Sequence, residues 1–308
     1  MNNKPFEVAF YVPCLADDYD DYFAILEDMG VSYVGTGLSL AKIRDERSLN
    51  AIKAAADARG LSFIALHSPS GLLWEQGLDY GHQITRDVID AAATLGARST
   101  VWHFRYIHLS KPEEALGGDR VNSMPLEELD RLMEETLPAS CEHAKDAGVE
   151  INMENLPMFR WSRDSREIMD FIRKVDLPNL GYIIDSGHSH ANGEDPAAMI
   201  RESGPLLRDT HLHDNLGTRG FDFSQPGTQA DITPARDLHM VPGQGTINWI
   251  DLVRALREIE YPFPVAFEGP RMRGHPDEES IDSWELCMRL TLENWRMFEE
   301  TADHLPDP

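Results

Sequence analysis

The sequence predicts a single α/β domain folded as a (β/α)8 TIM barrel, and three observations carry that prediction. Short apolar, β-rich runs alternate with longer amphipathic stretches along the whole chain, which is the pattern of parallel βα units. Eight such rounds can be counted, the number that closes a barrel. Histidines and carboxylates collect at the C-terminal ends of the runs, where barrel enzymes carry their sites.

The strands are expected at Glu7 to Val12, Tyr33 to Gly37, Ser62 to His67, Ser99 to Phe104, Val149 to Glu154, Gly181 to Asp185, Asp209 to His213 and Pro264 to Glu268. Helical patterns lie near 17–30, 47–59, 80–96, 126–147, 163–174, 195–204, 247–259 and 279–302, with Asp17, Ser48 and Asn248 as expected caps. No repeat, linker or low-complexity segment divides the chain, so 1–308 reads as one domain ending in a loose tail at 301–308. Two βα loops, Arg105 to Pro125 and Asn215 to Gly245, are long, and long ordered loops usually have a function.

Composition limits the classes of function. Apolar residues make up 42% and charged residues 26%, enough for a large buried core. With 53 Asp and Glu against 28 Lys and Arg, the formal charge is −25. A field of that sign repels polyanions and argues against nucleic acid, whose binding rests largely on phosphate neutralisation. Cys14, Cys141 and Cys287 are odd in number and widely spaced, which fits free thiols in a reducing compartment. No stretch is long and apolar enough to span a bilayer, and Met1-Asn2-Asn3-Lys4-Pro5 leads straight into a strand without a signal-type apolar run. The expected location is therefore cytoplasmic. Self-association is compatible with such a barrel, although the sequence specifies no interface.

His67 and His103 end the third and fourth runs. Glu154 ends the fifth in Asn152-Met153-Glu154-Asn155, and Asp185 ends the sixth in Ile184-Asp185-Ser186-Gly187-His188. His211 lies in His211-Leu212-His213-Asp214, Glu268 in Phe267-Glu268-Gly269-Pro270, and Asp237-Leu238-His239 precedes the last strand. Taken singly, each histidine reads as a hydrogen-bonded strand end; the set does not. Gathering several carboxylates at one mouth requires compensating positive charge, and Arg105 is the only basic residue directly beside these strand ends. Divalent metal supplies it. Mixed imidazole and carboxylate ligands suit Zn²⁺, Mn²⁺ or Co²⁺ better than Ca²⁺, with Mg²⁺ a further option.

Other residues point to substrate with less force. His213 follows His211 by two and shares its face, as a ligand or substrate contact or as a packed core histidine. Arg271 is close enough behind Glu268 to reach a hydroxyl, carboxylate or phosphate. Trp74 and Trp102 either stack on a substrate or belong to the core. Pro242-Gly243-Gln244-Gly245 lacks the Lys-Ser/Thr of a phosphate loop and reads as a tight turn before a helix at Ile247.

Together these motifs resemble the xylose-isomerase-like superfamily, which joins sugar isomerases and epimerases to the endonuclease IV group. The likeness spans nearly the whole chain. In the epimerase branch one metal is held by Glu, Asp, His and Glu, at positions that correspond to Glu154, Asp185, His211 and Glu268. Endonuclease IV holds three zinc ions with those four plus positions matched here by His67, His103, His188, Asp237 and His239. The resemblance thus implies one to three divalent ions and a carbohydrate substrate. It implies that Glu154 and Glu268 act as base and acid through an enediolate, with His188 or Arg219 steadying the oxygen that gains charge. Arg160 stands where ketose epimerases usually carry a further carboxylate, so that substrate contact is not matched. The same resemblance leaves open a multinuclear hydrolase of phosphate esters and a sugar dehydratase or lyase; a non-enzymatic alternative is a sugar-binding or partner-binding barrel that keeps the metal for structure.

Overall fold

The computed structural model describes residues 4–14, 18–69, 78–103, 126–156, 165–217, 237–269 and 280–304. Its strands follow the apolar runs: β1 Val8–Pro13, β2 Tyr33–Gly37, β3 Ser62–His67, β4 Ser99–His103, β5 Glu150–Glu154, β6 Leu180–Asp185, β7 Leu207–His211 and β8 Val265–Glu268. All pair in parallel, in the order β7-β6-β5-β4-β3-β2-β1-β8. The ring closes between β7 and β8, where Leu212 N donates to Ala266 O at 2.8 Å and Glu268 N to Leu212 O at 3.3 Å. The Thr210 hydroxyl completes that seam by accepting from Ala266 N at 2.8 Å. Because β7 ends at His211, His213 lies beyond the strand rather than within it.

The helices of the βα units are α1 Tyr19–Asp28, α3 Glu46–Ala58, α4 Leu78–Leu95, α5 Leu126–Asp146, α6 Ser165–Val175, α8 Pro196–Ser203, α9 Trp249–Glu258 and α10 Ile281–His304. Two short helices, α2 Leu40–Ile43 and α7 Ser186–Ala191, sit directly after β2 and β6. Asn248 caps α9 as expected, accepting from Asp251 N at 3.3 Å. The cap of α3 is Asp45 rather than Ser48: its carboxylate accepts from Arg47 N and from the Ser48 hydroxyl, so a charged acceptor takes the site. Asp17 lies outside the described residues. The last helix runs to His304, so the first four residues of the expected tail are helical. Among the described residues no helix is long and apolar enough to cross a membrane.

Side chains alternate between two cores because strand residues alternate faces. Ala9, Tyr11, Ile64, Ala65, Val101, Ile183 and Ala266 fill the barrel interior. Phe10, Trp102, Met153, Tyr182, Leu212, Phe267 and Trp295 belong to the larger core between strands and helices. Gly35 makes room for the inward Tyr11 ring, since a Cβ there would stand 2.6 Å from it. At the opposite end from the mouth, Glu150 accepts from both Arg98 and Arg208, and Arg98 lies 4.0 Å over the Phe263 ring.

One buried carboxylate organises the approach to α9. Asp214 accepts from Gly243 N at 2.8 Å, Gly245 N at 2.9 Å, Ile247 N at 3.2 Å and Trp249 Nε1 at 2.8 Å. The Pro242 to Gly245 run is therefore a turn wrapped around a carboxylate, with Gly243 at φ +91°. A Cβ on Gly245 would fall 2.2 Å from Asp214 Oδ1 and 2.3 Å from Asn215 O. Gly245→Ala is expected to cost about 1–3 kcal/mol of stability, as overpacking does. Urea unfolding reads this directly, and a midpoint equal to wild type would show that the clamp can relax.

Candidate metal centre

Register places the candidate ligands at one end of the barrel. His103 pairs beside Glu154, Asp185 beside His211, and Tyr11 beside Glu268, so the ends of β4, β5, β6, β7 and β8 share one level. His67 ends β3 beside them. Asp185 has a second task as the N-cap of α7, accepting His188 N at 2.7 Å, and the spacing of three puts His188 at the same mouth.

Three groups result, and the candidate ligand atoms within each lie within 4.8 Å of one another. The first is Glu154, Asp185, His211 and Glu268. His211 Nδ1 stands 3.0 Å from Glu154 Oε1 and 3.3 Å from Glu268 Oε2. The second is His67, His103 and Glu154: the two Nε2 atoms are 3.1 Å apart and stand 3.6 Å and 3.2 Å from Glu154 Oε2. The third is His188, His213, Asp237 and His239. Glu154 is common to two groups, offering one oxygen to each.

These residues fit metal on two grounds. Neither nitrogen of His211 nor Glu154 Oε2 has a hydrogen-bond partner among the described residues, although both residues are buried. Buried polar atoms are seldom left so. Four imidazoles also have carbonyls as Nδ1 partners: His67 to Ser68 O at 2.8 Å, His188 to Asn155 O at 3.0 Å, His213 to Asp214 O at 3.3 Å and His239 to Glu268 O at 2.9 Å. A carbonyl only accepts, so Nδ1 carries the proton and Nε2 presents a lone pair toward the ligand groups. A lone pair facing a carboxylate requires a cation between them, either a proton or a metal.

The family model of the xylose isomerase-like TIM barrel matches residues 23–289. The chain belongs to the xylose isomerase-like TIM barrel family. Among curated proteins, the uncharacterized protein MJ1311 of Methanocaldococcus jannaschii is 30% identical over 61% of this chain and 56% of its own length. The uncharacterized protein y4fM of Sinorhizobium fredii is 24% identical over 69% of this chain and 60% of its own length, so the match spans less than two thirds of either relative. The D-psicose 3-epimerase of Ruminiclostridium cellulolyticum is 24% identical over 87% of this chain and 83% of its length. Of solved structures, D-psicose 3-epimerase with D-tagatose from Clostridium cellulolyticum H10 superposes with a TM-score of 0.70 at 17% identity, covering 97% of this chain and 98% of that one. A 3-keto-D-glucoside 4-epimerase from E. coli gives 0.69 at 16% identity, covering 92% and 99%.

Within this family barrel, the residues singled out from sequence divide into three sets. Glu154, Asp185, His211, Glu268, His67, His103, His188, Asp237 and His239 all come together at the mouth. Trp102 does not: it is buried in the core behind β4, on the face opposite His103, and cannot stack on a substrate in the barrel. His213 is wholly buried, with Nε2 3.0 Å from Asp185 Oδ1, which removes it from direct substrate contact. Arg219, Arg271, Trp74, Arg105 and Arg160 lie outside the described residues.

Three residues gain roles that their sequence positions did not announce. Asn155 accepts from Tyr182 Oη and Asp185 N, donates to Asp185 O, and offers its own carbonyl to His188, fastening β5 to β6 at the level of the ligands. Asp214 holds the Gly243 to Trp249 segment. Gly187 lies against the His213 ring, where a Cβ would come within 1.9 Å of Cε1. Asn155 and Asp214 each follow a ligand-bearing motif directly, and that adjacency was the available signal.

Carboxylates and imidazoles at the mouth set one another's charge. Burial would push His188 down, but Asp185, Asp237 and Glu154 hold it up at about 10. Burial opposes His239 likewise, and Asp237 with Glu268 keeps it at about 9. Burial would raise Glu154, yet His211, His103 and His67 hold it well below the carboxylate range. In metal-free protein His188, His211 and His239 are thus the cations that neutralise the carboxylates. Zn²⁺ added to chelator-treated protein at pH 8 is expected to release protons, because His188 and His239 are protonated below about 10 and about 9. Release falls away as pH rises through those values, and affinity weakens as pH falls. Indicator-dye titration across pH 7 to about 10.5 measures it, and no release at pH 8 would mean that these imidazoles are already neutral.

Proposed function

We propose that the chain is a divalent-metal-dependent sugar isomerase or epimerase, acting on a ketose, keto-sugar or sugar derivative by proton transfer through an enediolate. The observation that carries this reading is the pair of glutamates from β5 and β8 that both approach His211, 3.0 Å and 3.3 Å from its Nδ1. The sugar epimerases among its relatives and structural neighbours support the same class of reaction and substrate. A divalent ion bound among Glu154, Asp185, His211 and Glu268 would supply positive charge that polarises a substrate carbonyl and acidifies the adjacent C–H.

Access separates the two glutamates. The Glu268 side chain is 21% exposed and Glu154 only 1%, so Glu268 reaches the open mouth and takes the proton. Glu154 is the partner that returns a proton to the opposite face or the neighbouring carbon; because the histidines around it hold it ionised, that proton must first pass to it from an imidazole at its Oε2, His67 or His103. Asp185 and Asn155 fix the ligand-bearing ends of β5 and β6 against each other. Running the reaction in D2O should place deuterium on the reacting carbon of a ketose. Glu268→Gln is expected to slow that exchange about 10²–10⁴-fold, the usual contribution of a positioned acid or base. Exchange undiminished by the substitution would remove Glu268 from the proton transfer.

One observation favours a second reading, a multinuclear hydrolase of phosphate esters. Glu154 Oε2, the oxygen that an acid or base would use, faces Nε2 of both His67 and His103. A carboxylate bridging two ions is a ligand and a poor base. Elemental analysis of wild type and a His67→Ala, His103→Ala variant separates the readings. About one equivalent in both, with deuterium exchange retained, supports the isomerase; loss of one or two equivalents together with cleavage of a phosphodiester supports the hydrolase.

A further inference from the structure

We infer that His213 completes a closed, four-ligand metal centre with His188, Asp237 and His239, separate from the quartet that faces the substrate. The nine-residue ligand pattern legible in the sequence does not include His213, and three ligands without it would leave a coordination position open. Its ligand atom falls within 4.8 Å of those of the other three. His188 Nε2 and His239 Nε2 stand 3.2 Å and 2.8 Å from Asp237 Oδ1, close to the edge of about 3.3 Å that tetrahedral Zn–N distances require.

Orientation of the rings is the independent observation. His213 and His239 stack with centroids 4.2 Å apart and planes 15° from parallel, and His188 stands edge-on to both. The Nδ1 atoms of all three turn to backbone carbonyls, those of Asn155, Asp214 and Glu268; the Nε2 atoms of His188 and His239 meet at Asp237, and that of His213 faces the same space while lying 3.1 Å from Asp185 Oδ2. Gly187 permits the His213 ring to lie against the backbone of α7, and any side chain there would displace it. His239 adopts φ +43°, a backbone conformation held only where the surroundings fix it.

Three imidazoles and one carboxylate with no open position make a structural centre for a zinc-class ion. Asp237 and His239 come from the return of the loop after β7, so the centre pins that return to α7. His239 also donates to the carbonyl of Glu268, which ties the centre to the rim bearing the exposed glutamate. His188 is thereby a ligand and not a substrate contact. The inference needs no substrate and stands apart from the isomerase reading.

The full chain carrying Glu154→Gln and Glu268→Gln loses ligands of the other two groups and keeps this one. Loaded with one equivalent of Zn²⁺, it should show three imidazoles and one oxygen by X-ray absorption. His213→Gln in that background should weaken zinc binding at least about 100-fold. Two imidazoles, unchanged affinity in His213→Gln, or no zinc bound at all would overturn the proposal. The competing role for His213 is to position Asp185, which its Nε2 also approaches. In otherwise wild-type protein that role predicts loss of the quartet's ion on His213→Gln, with two imidazoles still on the remaining one, and that result also overturns the proposal. Should the double glutamate variant fail to fold by circular dichroism, the wild-type comparison decides: His213→Gln should lower bound zinc by one equivalent, and an unchanged count counts against the centre.

Discussion

The mouth of this barrel depends on how its imidazoles are held. Each of His67, His188, His213 and His239 has a backbone carbonyl at Nδ1, and that hydrogen bond sets both the tautomer and the direction of Nε2. The carbonyls belong to residues just past β3, β5 and β7 or at the end of β8, so the barrel's own backbone aims the lone pairs. Burial makes the arrangement consequential. In a site of low polarity, lone pairs facing carboxylates are costly unless a cation, a proton or a metal ion, lies between them.

Glu154 is where the functional alternatives meet. One oxygen turns to His211 and the other to His67 and His103, at a residue that is almost wholly buried. Whether that carboxylate is free to carry a proton depends on what occupies the His67–His103 side. The same scaffold can therefore serve proton transfer or hydrolysis with no change in the quartet. Glu268 is the more exposed of the two glutamates and is tied through its carbonyl to His239.

Around the mouth, the fold supplies rigidity through polar contacts that are unusually well satisfied. Asp214 gathers three donors from the segment before α9 and a fourth from its first residue, and Asn155 links β5 to β6 with both ends of its amide. Glu150 with Arg98 and Arg208 fastens the opposite end of the barrel. Small residues, Ala9, Ala65 and Ala266, line the interior beneath the ligands, leaving room for Tyr11 to pack against His211 at 4.5 Å.

Fold class, strand positions within a few residues, and the convergence of nine candidate ligand residues on one mouth were legible in the sequence, because period-two alternation and strand-end placement are local properties that a barrel converts into convergence. What the tertiary structure alone decided is which side of each element a residue serves and which atoms meet. Trp102 and His103 are neighbours in sequence, yet one packs behind the strand and the other faces the mouth. His213 could not be placed from its spacing to His211, because β7 ends between them and the chain turns. Asp45 displaced Ser48 as a cap, and Asp214 became a clamp, through contacts with groups that local pattern does not encode. The sequence thus determined that carboxylates and imidazoles gather at one end of a barrel. Their grouping into three sets, with Glu154 shared and His213 recruited, follows from hydrogen bonds between chain segments far apart in sequence, which exist only once the ring has closed.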